Sequence, residues 1–423
     1  MNIRTRLMTF PLLKTAIVYQ NTRFTYNNLL QMMDIVEKEK IKPGGLVTIV
    51  GETSIVNIAR LFAAIDANAI AVPMATIQPA KLWQVESKHY KTIRKRLVPG
   101  LVLFTSGSTG SPKAALHDMS KLMERWKIHN PQGWYAAKDQ TIMSFLGFDH
   151  IGGINTLFHT LFNGGTLVIP NSRNADEVAT CIDNHRVQVL PTSPTFLKML
   201  LMKSDSEFKG LEMITYGTEP MPESTLAAVA KRWPHVKLKQ TYGLTELGIL
   251  STKSKGDGST WMKIGGDGYK YRVVDDCLEI KAESTMIGYL TSNSPITLDG
   301  YYQTGDMAEQ DGEGWIRIIG RKSEFINVGG NKVHPAEIES ILSELPSIEE
   351  CLVESEDNPI LGQVVKATIK LGEGWDLTIT SLRDAIKAKF DAHTNGDKWK
   401  IPQKIIITDQ PLHNERFKKV RHV

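Results

Sequence analysis

Cysteine is scarce in this chain: Cys181, Cys277 and Cys351 are the only three in 423 residues, and no two form a C-x-x-C pair. Neither a disulfide framework nor a zinc site is encoded, and a reducing cytoplasm fits that usage best. Long apolar runs are missing too. No window of about 18 uninterrupted apolar residues exists, so no membrane-spanning helix and no membrane insertion are expected. The N-terminal MNIRTRLMTFPLLKTAIVY is broken by Pro11 and Lys14 and has no small-residue cleavage site. It reads as a first helix or strand rather than a signal peptide, and no lipidation motif supplies an anchor. Neither sign of charge is in strong excess, 50 Lys and Arg against 46 Asp and Glu leaving a formal net charge of +4. That gives no footing for a nucleic-acid partner. Repeats and low-complexity tracts are also lacking, which excludes a solenoid.

What remains is an ordinary globular composition, 41% hydrophobic and 23% charged, on a chain too long for one average core. Helical and strand periodicities alternate along its first part. Tyr26 to Lys38 reads as a helix, Leu46 to Val50 as a buried strand, Ile55 to Ala67 as a helix and Ala69 to Pro73 as a strand. The same alternation runs from a strand at Gly165 to Pro170 through helices at Ala175 to Asn184, Pro194 to Met202 and Pro222 to Arg232. Such βαβ units predict a doubly wound α/β body with a parallel sheet, reaching to about residue 250. From Gly265 short alternating strands take over, at Tyr269 to Val274, Cys277 to Ala282 and Trp315 to Ile319, predicting a small β region. Beyond Gly320 the pattern is that of a separate α+β unit of about one hundred residues.

The segment Leu103 to Lys113, LFTSGSTGSPK, packs two glycines, five hydroxyl residues and one lysine behind the apolar run Leu101 to Phe104. Backbone N–H groups, the hydroxyls of Thr105, Ser106, Ser108 and Thr109, and the Lys113 ammonium can all reach a polyphosphate there. A plain Gly/Ser surface loop is the competing reading. A Walker loop is excluded, because Lys113 follows Pro112 and precedes Ala114, so the G-x-x-x-x-G-K-[ST] spacing is absent.

Four further segments follow in order: Tyr242-Gly243-Leu244-Thr245-Glu246; Thr304-Gly305-Asp306; Gly320-Arg321 through Gly329-Gly330, Val333 and Glu337 to Glu339; and Lys418-Lys419-Val420-Arg421. With the first loop they resemble the acyl-adenylate-forming superfamily of acyl-CoA synthetases, peptide-synthetase adenylation domains and luciferases, in a compact CoA-ligase-like form. Each segment alone is weaker, since a T-G-D turn is common and a basic terminus is usually a solvated tail. The resemblance implies a mobile two-part enzyme: an adenylation core over residues 1–320 and a lid over residues 321–423, hinged near Lys322 and Ser323.

It also implies the chemistry. A carboxylic acid would attack the α-phosphate of ATP and expel pyrophosphate, with catalysis by positioning and electrostatics. Thr105, Ser106, Gly107, Ser108, Thr109, Gly110 and Lys113 would enclose the β and γ phosphates. Thr245 would donate to the α-phosphate and Glu246 would hold Mg²⁺. Thr241, Tyr242 and Gly243 would flank the adenine, although an aromatic at a strand end often only packs. Gly217, Thr218 and Glu219 would form the turn beside adenine and acyl group, and Asp306 with Arg321 would take the ribose hydroxyls. Lys418 would bridge substrate carboxylate and α-phosphate, Lys419 being the alternative because Phe417 stands where the family has glycine. Gly329 and Gly330 would line a tunnel for the pantetheine of CoA or of an acyl-carrier protein.

Ser144 to Gly153, SFLGFDHIGG, resembles the acyl-pocket segment of the CoA-ligase branches, with His150 in the histidine slot and Asp149 beside it. That favours an acid without an α-amino group, against a stand-alone amino-acid adenylation enzyme; a structural histidine and a non-catalytic nucleotide-binding relative are the blander alternatives. The clearest departure is the 31 residues between Pro73 and Thr105, shorter than the family's usual insertion, so part of the pocket wall or a homodimer surface is expected to differ.

Overall fold

The computed structural model describes residues 2–75, 91, 97–105, 112–127, 139–256, 258–265, 268–393, 397–413, 419 and 421. The expected α/β body is present, and it is built on two sheets. Among the described residues the first sheet has the order Lys237–Gln240, Met213–Tyr216, Val189–Thr192, Thr141–Met143, Thr166–Ile169, Thr15–Tyr19, Thr22–Thr25. Its neighbours run parallel except for the closing hairpin, Thr15–Tyr19 with Thr22–Thr25. The second has the order Gly288–Tyr289, Lys113–Asp118, Gly100–Thr105, Ile70–Met74, Leu46–Val50. The N-terminal stretch supplies both a short helix, Ile3–Leu7, and that hairpin.

Strand periodicity decides what each sheet buries. Leu167 and Ile169 face the interior shared with Leu101 and Leu103 of the second sheet, while Val168 between them faces the opposite side. Val102 and Phe104 likewise turn away from Leu101 and Leu103, into a separate cluster with Ile70, Val72 and Leu116. Helices fill the shared interior and cover the outer face of the first sheet.

The helix starts are local chemistry. Thr25 caps Tyr26–Glu37 through the Asn28 amide, and the Asn28 side chain returns the contact. Ser54 caps Ile55–Asp66, Asn174 caps Ala175–Asn184 and Ser193 caps Pro194–Lys203, whose first residue is a proline that needs no N–H partner. Helix Ile151–Phe162 is different: it lies in the shared interior and is buried on nearly every side. Its only partly exposed positions, Asn155 and His159, are four residues apart on one narrow strip, too little to mark a wet face.

The β region forms a six-stranded antiparallel sheet among the described residues, with Tyr302–Gln310 between Cys277–Ala282 and Ile316–Arg321. After a short 3₁₀ turn at Lys322–Glu324, the remaining residues build a further sheet around the long pair Ile348–Asn358 and Gly362–Leu371. Helices Pro335–Leu342 and Ile379–His393 close a hydrophobic cluster drawn wholly from Ile326 to Ile405. That unit docks on helix Pro194–Lys203, where Lys198 Nζ donates to the Ile348 carbonyl at 3.0 Å and Lys203 pairs with Glu373 at 3.1 Å.

Candidate active site

Three neighbouring parallel strands, Val189–Thr192, Met213–Tyr216 and Lys237–Gln240, end side by side. The crevice beyond such carboxyl ends is where open α/β sheets hold ligands. Gly217 lies against Thr241 there: a Cβ on Gly217 would sit 2.4 Å from Thr241 Oγ1. Only glycine allows the two strand exits to approach so closely. Thr218 follows with a left-handed φ of 77°, and Glu219 turns back so that its Oε1 accepts the Thr195 amide at 2.7 Å. A carboxylate in the first turn of Pro194–Lys203 is favourably placed against the helix dipole.

Thr241 leads into a hairpin, Tyr242–Leu244 with Gly248–Leu250, whose connecting turn carries Thr245 and Glu246. Glu246 is buried, at 8% exposure. The Tyr289 hydroxyl donates to Glu246 Oε1 and lies 3.0 Å from the Tyr302 hydroxyl. Burial, reinforced by the Glu246 charge, pushes both phenols up and keeps them neutral donors. Lys113 Nζ lies 5.5 Å from the Tyr289 ring centroid, and Lys113 pairs with Thr105 across the base of the hydroxyl-rich loop. The loop residues Ser106, Gly107, Ser108, Thr109 and Gly110 lie outside the described residues. Glu246, as a carboxylate beside the expected phosphate path, fits Mg²⁺, which takes one or two carboxylates and completes its shell with phosphate and water.

Asp306 is buried at 6% exposure, and both carboxylate oxygens are held. Oδ2 accepts the Tyr242 hydroxyl at 2.5 Å, and Oδ1 meets Arg321 Nε at 2.7 Å. Arg321 Nη1 also donates to the Thr304 carbonyl at 2.8 Å, and Asp306 and Arg321 face each other across paired strands. Tyr242 thus has a task that its place in the motif did not reveal: it orients Asp306. A carboxylate oxygen so engaged keeps a second lone pair, so a ribose hydroxyl can still donate to it.

His150 is the N-cap of Ile151–Phe162, and its Nδ1 accepts the Gly152 amide at 3.1 Å. In the neutral ring Nε2 then carries the proton and is the donor. Asp149 beside it is buried at 9% exposure. The segment folds tightly over the helix start: a Cβ on Gly153 would lie 1.9 Å from the Gly147 carbonyl oxygen.

At the other terminus the two candidate lysines part company. Lys419 Nζ meets Glu339 Oε2 at 2.8 Å inside the C-terminal unit; Arg421 meets the same oxygen at 2.7 Å and Glu324 at 2.8 Å. His413 is fixed by Glu350 at 2.6 Å, and its backbone bridges that of Lys419. Lys418 lies outside the described residues. Burial works against the Lys419 charge, but Glu339, Cys351 and Glu219 together raise its pKa, and Glu219 acts on Arg421 as well. The tail therefore lies near the turn that carries Gly217, Thr218 and Glu219. Gly329 and Gly330 occupy an exposed turn between Ile326–Val328 and Asn331–Val333, with φ of 57° and 92°.

Sequence reasoning did not single out Tyr289 and gave Tyr302 and Glu339 no role, although both lie in motif segments, because their partners are met only through the fold. No helix of the described residues is long and apolar enough to cross a membrane.

Comparison with known proteins agrees with this layout. The family model for an AMP-binding enzyme matches residues 93–302, and that for the AMP-binding enzyme C-terminal domain matches residues 337–418. Indoleacetate–CoA ligase of Aromatoleum aromaticum is 30% identical over 76% of this chain and 66% of its own length. 2-Succinylbenzoate–CoA ligase of a Geobacillus species is 23% identical over 96% of this chain and 81% of its own. The chain thus spans just under two thirds of the indoleacetate–CoA ligase. Among solved structures, an anthranilate–CoA ligase with anthranoyl-AMP superimposes with a TM-score of 0.84 at 18% identity, covering 99% of this chain and 95% of that one. The o-succinylbenzoate–CoA synthetase of Bacillus subtilis with its acyl-adenylate gives 0.79 at 19%, covering 99% and 96%. These two share the fold. With both family models matched in order over more than half of its length, the chain belongs to the AMP-binding enzymes of the acyl-adenylate-forming superfamily.

Proposed function

We propose that the protein is an acid–thiol ligase that joins a carboxylic acid to AMP, releasing pyrophosphate, and then passes the acyl group to a pantetheine thiol. The observation that carries this reading is the polar chain from Lys113 over Tyr289 to Glu246, with Asp306, Tyr242 and Arg321 held beside the same hairpin. It gathers a phosphate-binding cation, a metal-binding carboxylate and a ribose-binding carboxylate on one side of the parallel strands.

In the first step a carboxylate oxygen forms a bond to the α-phosphorus as the bond to pyrophosphate breaks. Thr105 to Thr109, Gly110 and Lys113 neutralise the leaving group, Thr245 steadies the α-phosphate, and Glu246 would hold Mg²⁺, which when bound would screen the phosphate charge. Lys418 offsets the repulsion between the two approaching anions; the pairing of Lys419 with Glu339 assigns that cation a structural task instead. His150, with Nε2 as donor, lies at the acyl side. In the second step the thiol attacks the acyl carbon and AMP leaves. Residues 321–423 turn about Lys322 and Ser323, bringing the exposed Gly329–Gly330 turn to the acyl-adenylate.

The relatives are named for indoleacetate and succinylbenzoate, so aryl and arylalkyl acids head the candidate list and free CoA is the favoured acceptor. The test is acid-dependent exchange of labelled pyrophosphate into ATP across fatty, aryl, hydroxy and amino acids, followed by thioester formation with CoA or with a carrier protein. Exchange with an amino acid and a carrier alone would move the protein to the adenylation-domain branch. Absence of exchange with every acid would overturn the proposal.

A further inference from the structure

His117 is an anomaly. It lies on Lys113–Asp118, opposite Leu101 in the second sheet, and register puts its side chain on the interior face with Leu101 and Leu103. It is 1% exposed, yet neither Nδ1 nor Nε2 completes a hydrogen bond in the structure. A buried imidazole must keep one N–H, and leaving that donor unpaired costs about 1–3 kcal/mol. A plain core position would be filled more stably by leucine or phenylalanine.

Its surroundings suggest what the ring is for. The amides of Met286 and Ile287 are consecutive, and they donate in turn to the Glu246 carbonyl at 2.7 Å and to the Leu116 carbonyl at 2.8 Å. That pair of bonds joins the Thr245–Glu246 turn to the strand one residue before His117. The turn is tied again at its far side, where Ser284 Oγ donates to the Leu247 carbonyl at 2.6 Å. The backbone of Thr245 then lies near the imidazole, where it favours the protonated ring; burial outweighs it and lowers the pKa to about 4, so the ring is neutral. Met286 and Ser284 fix the second and third residues of the turn. The first, Thr245, meets the imidazole through its backbone, in a contact that falls short of a full hydrogen bond.

We propose that His117 is a positioning residue for the nucleotide site: its imidazole N–H donates to the Thr245 carbonyl once Mg·ATP draws the turn inward, setting Thr245 and Glu246 against the α-phosphate and the metal. In the free enzyme the contact with Thr245 is incomplete, and nucleotide binding tightens it. This rests on the reading of Thr245 and Glu246 given under Proposed function.

The test uses the full chain and Mg·ATP alone, so it does not depend on knowing the acid. Calorimetry on the wild type, His117→Phe and His117→Gln gives the affinity, and ¹⁵N-histidine spectra with and without Mg·ATP follow the ring. Expected are a loss of roughly tenfold in affinity for His117→Phe, near-wild-type affinity for His117→Gln through its amide N–H, and an imidazole N–H signal that appears or moves downfield on binding and is absent from both variants. Wild-type affinity in a folded His117→Phe, or a histidine spectrum unmoved by Mg·ATP, overturns the inference. Should His117→Phe fail to fold, the spectrum of the wild type decides. Failure of the wild type to bind Mg·ATP at all would instead remove the proposed function.

Discussion

Glu339 receives the Lys419 ammonium at 2.8 Å on Oε2, the same oxygen that Arg421 holds at 2.7 Å, while its Oε1 accepts the Val353 amide at 2.9 Å. A carboxylate with three such partners, 3% exposed, is a structural centre of the C-terminal unit, and on the proposed reading Lys419 serves it while Lys418 serves the reaction. Lys419→Met should lower the stability of that unit by roughly 1–3 kcal/mol, less than for a lone buried pair because Arg421 stays. Lys418→Ala should leave the melting temperature unchanged and reduce pyrophosphate exchange by two orders of magnitude or more. Equal loss of exchange in both variants with both fully folded would contradict the division.

The same cluster sets a pH window. Burial opposes the Glu339 charge, but Lys419 and Arg421 prevail and hold its pKa below 4.5, so its contribution is present above that value and is lost as pH falls through the depressed one. Lys419 is raised above 10.5, so its contribution is whole below that pH and is lost as pH rises through the folded value. Chemical denaturation should therefore show this contribution flat from about pH 5 to pH 10, with a fall on the acid side that Glu339→Gln makes shallower.

Tyr242→Phe removes the 2.5 Å donor from Asp306 but leaves Arg321 in place. Hydrogen bonds to a charged group are worth about 1.5–3 kcal/mol, so Asp306→Asn should weaken Mg·ATP binding by roughly 10- to 100-fold. Tyr242→Phe should cost less, since it disturbs orientation and not the ribose-binding oxygens. Calorimetric titration of both variants would show the order, and a larger loss for Tyr242→Phe would point to the ring rather than the hydroxyl as the binding group.

How far the sequence could be read follows from where each interaction lies. Ala175–Asn184, Tyr269–Val274 and Cys277–Ala282 have the bounds that the sequence predicts: the helix has one buried and one wet side, and the two strands are bounded by a turn at Asp275 and Asp276, both at positive φ. Ile151–Phe162 escaped because it is buried nearly all round, with only Asn155 and His159 partly exposed to mark the turn of a helix. The α/β alternation was legible, but its division into two sheets was not, since period two states that a strand has two faces and not which sheet it joins. At the site, Glu246, Asp306 and Arg321 stand in local motifs. Glu339 also ends a motif, but its partner Lys419 lies 80 positions away, and Tyr289 stands in no motif and reaches Glu246 across 43.

Glu246→Gln keeps the volume and an acceptor for Tyr289 but removes the charge offered to a divalent cation. Pyrophosphate exchange should then need at least tenfold more Mg²⁺ for half-maximal rate, with the affinity for metal-free ATP little changed. A parallel fall in both would mean that Glu246 shapes the nucleotide pocket rather than the metal site.

Lys198 connects the two halves in the arrangement seen here, its ammonium half-sunk between helix Pro194–Lys203 and the carbonyl of Ile348. Burial lowers its pKa, with Lys419 adding repulsion against the pull of Cys351, Glu350 and Glu349 from the C-terminal unit. Because Lys419 and Arg421 lie within electrostatic reach of Glu219 in this arrangement, the contact should favour adenylation over thioester formation. Lys198→Met keeps the apolar stem and removes the bond. It should slow pyrophosphate exchange by about tenfold, which is the loss of one charged hydrogen bond, while thioester formation from supplied acyl-AMP stays constant or rises. Equal losses in the two half-reactions would show that Lys198 supports the fold of both states and holds neither in preference.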